Sequence, residues 1–255
     1  MRKIFLRLLP EKEFENIRIF FKPQKIIYQK KSKHQKILIF EDTFFGKILV
    51  LDDFLQLSEK DEKIYHQSLV LPLFKLLKNP QKILIVGGGD GGCLREVLKY
   101  KNLKEVFLVD FDKEVMEVSK KFLPFLKLKK SLKDKRVKVF FEKGEDFIKK
   151  FNSYFDAIIV DLTDTQIPPA KNFFKISSLK NLKKALSQNG GVSLQAGSVL
   201  EKKHLKNLFK KLKKIFPSVL EFKKVIPSFF AGEWCFVLCL KKEMKKLPED
   251  FAFLK

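Results

Sequence analysis

The stretch KILIVGGGDGGCLREVLKY, residues 82–100, limits the possible folds more than any other part of the chain. KILIV is a short apolar run bounded by turn residues, as in a buried strand, and the segment after the glycines carries helical spacing. A strand that passes through a glycine turn into a helix opens a doubly wound α/β sheet, whose ligands bind beyond the carboxyl ends of the strands. Such a turn ordinarily cradles an anion. Here Asp90 stands inside the turn and would repel one. GGGDGG also departs from the dinucleotide fingerprint, so a pyrophosphate is not the expected ligand.

The same rhythm continues in both directions. A helix is expected over about 63–77, and the helix after the glycine turn should run to Tyr100. EVFLVD then reads as a strand ending at Asp110, followed by a helix over 113–122, the strand RVKVFF and a short helix near Asp146. FDAIIVD reads as a strand ending at Asp161. A helix over about 173–187 should stop at Asn189-Gly190-Gly191, with the strand GVSLQA next. A lysine-rich helix and two strands, LEFKKVI and EWCFVLCL, close the chain. Alternating strands and helices imply a parallel sheet, and a closing antiparallel pair is what nucleoside-binding methyltransferase-type sheets carry. Before this region, KIIYQK, QKILIFED and GKILVLDD read as hairpin strands, a unit too small to stand alone. The expected fold class is α/β, a Rossmann-like methyltransferase-type doubly wound sheet with a small N-terminal β-strand domain. The division expected is 1–61 for the β unit and 62–255 for the catalytic one.

Composition narrows the partners. The formal charge of +23, from 53 lysines and arginines against 30 acidic residues, would suit nucleic acid. Lysine dominates, however, and covers the polar side of helices such as EKKHLKNLFKKLKKIF, where Leu205, Leu208, Phe209, Leu212 and Phe216 mark one apolar face. That is the pattern of a solvated surface, so nucleic acid is not the expected partner. No apolar run is long enough to span a bilayer, and the apolar part of MRKIFLRLLP is too short for a signal peptide. Cys93, Cys235 and Cys239 form no CxxC pair and are odd in number, which reads as reduced thiols in the cytoplasm. No metal site is expected from them.

Four carboxylates fall where such a sheet delivers side chains to one crevice: Asp90 after the first strand, Asp110 at the end of the second, and Asp161 with Asp164 after the fourth. Asp110, about twenty residues past the turn, suits the two hydroxyls of a ribose. The methionine carboxylate of S-adenosylmethionine would be disfavoured by Asp90. The decarboxylated form, with an ammonium tail and a cationic sulfur, would be favoured. An amine nucleophile is mostly protonated at neutral pH and needs a proton acceptor, a task that suits Asp161. Turn-capping is an equal alternative for Asp161 and Asp164 taken as a pair, and the convergence with Asp90 and Asp110 favours the functional reading.

Taken together, KSKHQKILIFED, FGKILVLDDFLQLSEKDEKIYHQ, GGGDGGCLREVLKY, VDFDKEV, DLTD, LQAGS and IPSFFAGEW give the chain its resemblance to the polyamine aminopropyltransferases, the spermidine synthase family. The resemblance covers roughly residues 24–240. It implies transfer of a 3-aminopropyl group from decarboxylated S-adenosylmethionine, a co-substrate rather than a bound cofactor, to an amine such as putrescine, with release of methylthioadenosine. It implies that Gln35 contacts the donor, that His66 and Asp90 line the amine and aminopropyl region, that Asp110 holds the ribose, and that Asp161 accepts the proton. Asp164 belongs to the amine site on this basis, and Pro168 or Pro169 borders the nucleoside. Gln56 and Tyr65 join the candidate substrate contacts, as does Trp234, which reads first as a core or rim aromatic. Gly87, Gly88 and Gly89, with Glu142, Lys143, Gly144 and Pro169, are the candidate nucleoside contacts. A homodimer or homotetramer through the N-terminal β region is implied as well.

The chain departs from the family pattern at several points. YHQ replaces YHE, so Gln67 brings no charge. Lys143-Gly144 replaces the DG that meets adenine, leaving Glu142 or a backbone carbonyl to accept from the adenine amino group. DLTDTQIPPA carries one extra residue, and Ser178-Leu179 stands where an aromatic pair is usual. The acidic pair Asp110 and Asp112, DLTD and LQAG resemble the branch acting on agmatine or triamines of the thermospermine type. The competing class is an S-adenosylmethionine-dependent methyltransferase on a basic, nucleic-acid-binding scaffold, which would explain the charge but places a methionine carboxylate against Asp90.

Overall fold

The computed structural model describes residues 3–7, 14, 16–163, 166–167, 170–230, 232–244 and 251 of the 255. Asp164, Pro168 and Pro169 lie outside the described residues.

Three sheets build the described chain. A hairpin of β1 (Ile4–Arg7) and β2 (Arg18–Phe21) comes first. An antiparallel sheet of β3 (Lys25–Lys31), β4 (Lys36–Asp42), β5 (Gly46–Leu51) and β6 (Phe54–Ser58) follows in sequential order. By pattern, Asp52 and Asp53 fall at the end of the GKILVLDD strand. They form instead the two-residue turn between β5 and β6, with φ of 48° and 71°. Two successive positive φ values suit the right-handed twist of a tight hairpin, and aspartate tolerates that region. Lys36 N donates to Asp52 Oδ1 (2.8 Å), tying the turn to β4.

The large sheet has seven strands. β7 (Lys82–Gly87), β8 (Glu105–Val109), β9 (Val137–Phe140), β10 (Phe155–Asp161) and β11 (Leu186–Ser198) run parallel, while β12 (Ser218–Val225) and β13 (Glu233–Leu240) form the antiparallel close. The spatial order is β12-β13-β11-β10-β7-β8-β9, so the direction of winding reverses beside β7. Both faces of β7 are buried. Ile83 and Ile85 join the core under α1 (Glu62–Leu77) and α2 (Gly92–Val97), and Leu84 and Val86 join the opposite core under α7 (Ile176–Ala185) and α8 (Lys202–Lys213). Burial on both sides is why this strand is a continuous apolar run rather than an alternating one.

Three helix boundaries differ from those expected. α2 ends at Val97, and turns carry the chain to Tyr100. The helix expected over 173–187 is two, α6 (Ala170–Phe173) and α7. Asn189-Gly190-Gly191 does not cap α7, which ends at Ala185, but lies in the irregular first part of β11, where the pairing with β10 shifts register between Phe155 and Ala157. The lysine-rich α8 buries Leu208 and Leu212 and, just beyond it, Phe216, with Leu205 and Phe209 partly covered, as its spacing indicates.

The β3–β6 sheet packs on α3 (Lys113–Phe122), which the short α4 (Leu128–Ser131) follows. Ile37, Ile39, Leu49, Leu51 and Leu57 meet Val115, Val118 and the following Leu123 and Leu126. This contact brings the hairpin unit against the carboxyl ends of β7 and β8. No described helix is long and apolar enough to cross a membrane.

Candidate active site

One cavity sits at the carboxyl ends of β7, β8 and β10, between the seven-stranded sheet, α1 and the N-terminal sheet. It is the crevice expected at the reversal of a doubly wound sheet. Gln35 and Gln56 reach it from the N-terminal unit, Tyr65 and His66 from α1, Gly87, Gly88, Gly89 and Asp90 from the turn after β7, and Asp110 and Asp161 from the ends of β8 and β10.

Asp161 is nine-tenths buried. Tyr65 donates its hydroxyl to Asp161 Oδ1 (2.8 Å). Asp161 Oδ2 has no hydrogen-bond partner among the described residues. Burial and the nearby charge of Asp90 lift the carboxyl to about 6, while His66, the Tyr65 hydroxyl and the Cys93 thiol pull it back. A carboxylate with one tethered oxygen and one unsatisfied oxygen is poised to accept a proton. Gly88 makes the approach possible: its φ is +65°, and a Cβ there would stand 2.9 Å from Asp161 Oδ2.

Asp90 and His66 form the second wall. Gly92 N donates to Asp90 Oδ1 (2.7 Å), and His66 Nε2 lies 3.3 Å from the same oxygen. Burial opposes the Asp90 charge, but His66 and the backbone amides outweigh it and hold the carboxyl below its usual range. The other ring nitrogen of His66 lies 2.8 Å from Glu62 Oε2. Here Gly92 is required by the histidine rather than by a ligand, since a Cβ at 92 would come within 2.1 Å of His66 Cε1.

Asp110 receives two backbone donors, Gly89 N on Oδ2 (2.9 Å) and Asp112 N on Oδ1 (2.8 Å). Burial lifts it to about 6, those two amides opposing and the charges of Asp112 and Asp90 assisting. Asp112 is one of the residues that join the two units. Its Oδ2 accepts from Ser32 Oγ (2.7 Å) and Gln35 Nε2 (2.9 Å), and its Oδ1 caps α3 through Glu114 N (3.1 Å). With its amide nitrogen given to Asp112, Gln35 has its carbonyl oxygen as the remaining acceptor.

Other candidates stand elsewhere. Trp234 does not line the cavity. It donates Nε1 to Gln195 Oε1 (3.0 Å) and packs edge-on against Phe229, with ring centroids 4.7 Å apart. Gln195 Nε2 donates to the carbonyls of Leu162 (3.0 Å) and Thr163 (3.3 Å), which do line the cavity, so Trp234 acts on the site through that loop. Glu142 is ion-paired with Lys150 (2.6 Å), Lys143 precedes α5 (Gly144–Phe147), and a Cβ on Gly144 would lie 2.3 Å from Val86 Cγ1. None of these three lines the cavity. Neither do Ser178 and Leu179: Ser178 Oγ donates to the Asn172 carbonyl (3.2 Å) and Leu179 is core.

Leu49, Leu51, Phe111 and Val115 add an apolar wall that the motifs do not indicate. Phe111 had a readable signal, since it directly follows the strand-end Asp110. Glu62 carried none. Ligand atoms of His66, Asp90 and Asp161 lie within 4.8 Å of one another.

Comparison with known proteins agrees with this chemistry. Residues 62–248 match the spermine/spermidine synthase domain, and residues 10–59 match the spermidine synthase tetramerisation domain. The polyamine aminopropyltransferase of Hydrogenobaculum sp. (strain Y04AAS1) is 43% identical over 215 residues, spanning 82% of this chain and 74% of the relative. Polyamine aminopropyltransferase 1 of Aquifex aeolicus (strain VF5) is 38% identical over 237 residues, 91% of this chain and 82% of the relative. A spermidine synthase solved in complex with the transition-state analogue AdoDATO has a TM-score of 0.88 at 29% identity, covering 95% of this chain and 81% of that one. The spermidine synthase from Thermotoga maritima gives 0.87 at 28%, covering 100% and 91%.

Proposed function

The chain belongs to the spermine/spermidine synthase family and is a polyamine aminopropyltransferase; from that premise we propose how its own residues carry out the transfer. The donor is decarboxylated S-adenosylmethionine and the acceptor an amine such as putrescine. Asp161 Oδ2 takes a proton from the acceptor ammonium. The freed nitrogen lone pair attacks the propyl carbon bonded to sulfur, a C–N bond forms, and the C–S bond breaks with its electron pair going to sulfur. Methylthioadenosine leaves as a neutral thioether, so no negative charge has to be stabilised on the leaving group.

The observation that carries this reading is the buried, unpartnered Oδ2 of Asp161 in the cavity that Asp90 also lines. Asp90 takes the ammonium of the donor's tail and Asp110 the ribose, while Gln35 offers a carbonyl oxygen to the donor. Holding two cations in one recess converts a bimolecular encounter into an oriented one. Gly87, Gly88 and Gly89 border the nucleoside, together with Phe111, which takes a larger part there than Glu142 or Lys143. Asp164 and Pro169 keep the amine and nucleoside roles that the resemblance gives them.

Asp112 is occupied by Ser32, Gln35 and the cap of α3, so the acidic pair Asp110 and Asp112 carries no preference for agmatine or a triamine. A methyltransferase would have to seat a methionine carboxylate beside Asp90. Residues 1–61 form the oligomerising unit and 62–255 the catalytic one, a division supported by the separate sheets and by the two family matches. The assembly is a homo-oligomer, which we assign as a tetramer. Three buried thiols with no disulfide support a cytoplasmic setting. The test is methylthioadenosine release from the decarboxylated donor with putrescine, agmatine and triamines in turn, products identified by mass. Release with none of them would overturn the reading.

A further inference from the structure

His66 is enclosed by carboxylates. Its ring is 1% exposed, with Nδ1 2.8 Å from Glu62 Oε2 and Nε2 3.3 Å from Asp90 Oδ1. A neutral imidazole has one N–H and one lone pair, so one of these contacts would set a nitrogen lone pair against a carboxylate oxygen. Protonating a carboxyl instead would weaken the bonds it accepts on both sides. Glu62 accepts from Arg95 Nη1 on Oε1 (2.7 Å) and from Nη2 on Oε2 (2.8 Å), and Asp90 Oδ1 already accepts from Gly92 N. The proton belongs on the ring.

We propose that Arg95 and Glu62 are positioning residues that hold His66 as a permanent imidazolium, and that this fixed cation keeps Asp90 and Asp161 ionised together in the ligand-free enzyme. The inference rests on the function proposed above for the identity of the ligands, but the charge state is a property of the protein alone.

The chain of partners reaches well behind the cavity. Arg95 Nε donates to Glu96 Oε1 (2.9 Å), and Glu96, fully buried, is paired with Lys99. From the surface inward the charges alternate: Lys99, Glu96, Arg95, Glu62, His66, Asp90. Each buried charge has an opposite neighbour, the condition under which such charges survive desolvation. Around His66 stand Glu62 and Tyr65 on α1, Asp90 in the glycine turn and Asp161 on β10; Cys93 on α2 lies beside Asp90 and Asp161, and Arg95, behind Glu62, also donates through Nη1 to the Phe125 carbonyl (3.4 Å). Burial works against a charged ring here, but Asp90, Glu62 and Asp161 outweigh it and raise His66 to about 10.

Two consequences follow for the reaction. A ring with both nitrogens protonated cannot accept the proton of the incoming amine, which leaves that task to Asp161. Two carboxylates bordering one cavity repel each other, and an imidazolium beside them relieves the repulsion before any substrate ammonium arrives. The site is then charged to receive cations without first having to lose a proton.

The test is nitrogen-15 NMR of the ligand-free chain labelled at histidine, with His34 and His204 assigned by their loss in His34→Gln and His204→Gln. Both His66 ring nitrogens should carry protons at about pH 8, two units below the titration at about 10. Glu62→Gln, which removes the carboxylate on Nδ1, should shift the His66 titration at least tenfold in proton affinity toward neutral pH, and Glu62→Asp should recover part of the shift. An unprotonated ring nitrogen in the native protein at about pH 8 would overturn the proposal, whether or not the enzyme transfers aminopropyl groups. A doubly protonated ring in a protein that transfers none would uphold it and count against the function instead. The native measurement decides the charge state even where a buried variant does not fold. A His66 titration unmoved in a folded Glu62→Gln variant would remove Glu62 from its role.

Discussion

The hydroxyl of Tyr65 and Oδ1 of Asp161 are 2.8 Å apart, bringing a helix of one layer and a strand end of another to a single carboxylate. The bond occupies one carboxylate oxygen and leaves the other to the substrate. It also orients the acid, because Tyr65 is itself wedged between Phe229 and Phe236, with ring centroids 5.5 and 5.7 Å away.

Asp161→Asn removes the acceptor while nearly keeping the shape. Turnover should fall by about 10²–10⁴-fold, the usual range for loss of a positioned base. Donor binding, measured by calorimetry with the decarboxylated donor alone, should persist. Unchanged turnover would remove Asp161 from its role.

The acid side of the pH–rate profile should report Asp161. Its carboxyl is lifted to about 6, so activity should fall about tenfold per unit below that pH as the base becomes protonated. Tyr65→Phe removes a hydrogen bond that favours the ionised form, and the acid limb should move to higher pH. A limb that stays in place in Tyr65→Phe would assign it to another group.

Stability should carry the signature of His66. Its folded value is about 10 against an ordinary 6.5, so the folded state holds the proton more tightly. The resulting stabilisation is fully present below about 6.5 and is lost as pH rises through about 10. Urea midpoints at about pH 7 and about pH 10 should therefore differ more in the native chain than in His66→Asn. Equal differences in the two proteins would contradict the assignment.

Gly92→Ala tests the fit of the glycine turn around the histidine. A Cβ would lie 2.1 Å from His66 Cε1, so the ring must move. Overpacking of this kind costs about 1–3 kcal/mol, read as a fall in thermal midpoint of about 2–4 °C per kcal/mol. Activity should fall further than stability alone explains, because His66 and Asp90 move together.

Asp112→Ala should act on the donor rather than the acceptor. It removes a helix cap, a loss of about 1 kcal/mol, and frees Gln35 and Ser32 from their common partner. KM for the decarboxylated donor should rise about tenfold, a loss of about 1.4 kcal/mol, with KM for the amine little changed. An equal rise in both would show a general loosening instead.

The strand ends were legible because they depend on local pattern. Buried parallel strands are apolar on both faces, and the residue just past each run must fall at the carboxyl edge, so Asp90, Asp110 and Asp161 could be assigned to one crevice from sequence alone. The pairing of Glu62 with Arg95 could not. The two residues are 33 positions apart on different helices, and only the packing of α1 on α2 makes them meet. Trp234 stands behind the cavity, as its core or rim reading had it, because its partner, Gln195, is fixed by the antiparallel register of β11 and β13. β6 was missed because its partner strand was read through Asp52 and Asp53, aspartates that nothing local marks as left-handed.

The two bonds that Asp112 accepts from Ser32 and Gln35 mean that the nucleoside half of the recess is a seam, with one lip supplied by each folding layer. A donor molecule lying across it would act as a rivet, so loading the protein with donor should raise the melting of both layers together. At a hundredfold excess over its Kd that gain is about 2.7 kcal/mol. If the hairpin sheet were detached, the remaining sheet would keep its acids but lose the grip that makes them a binding site.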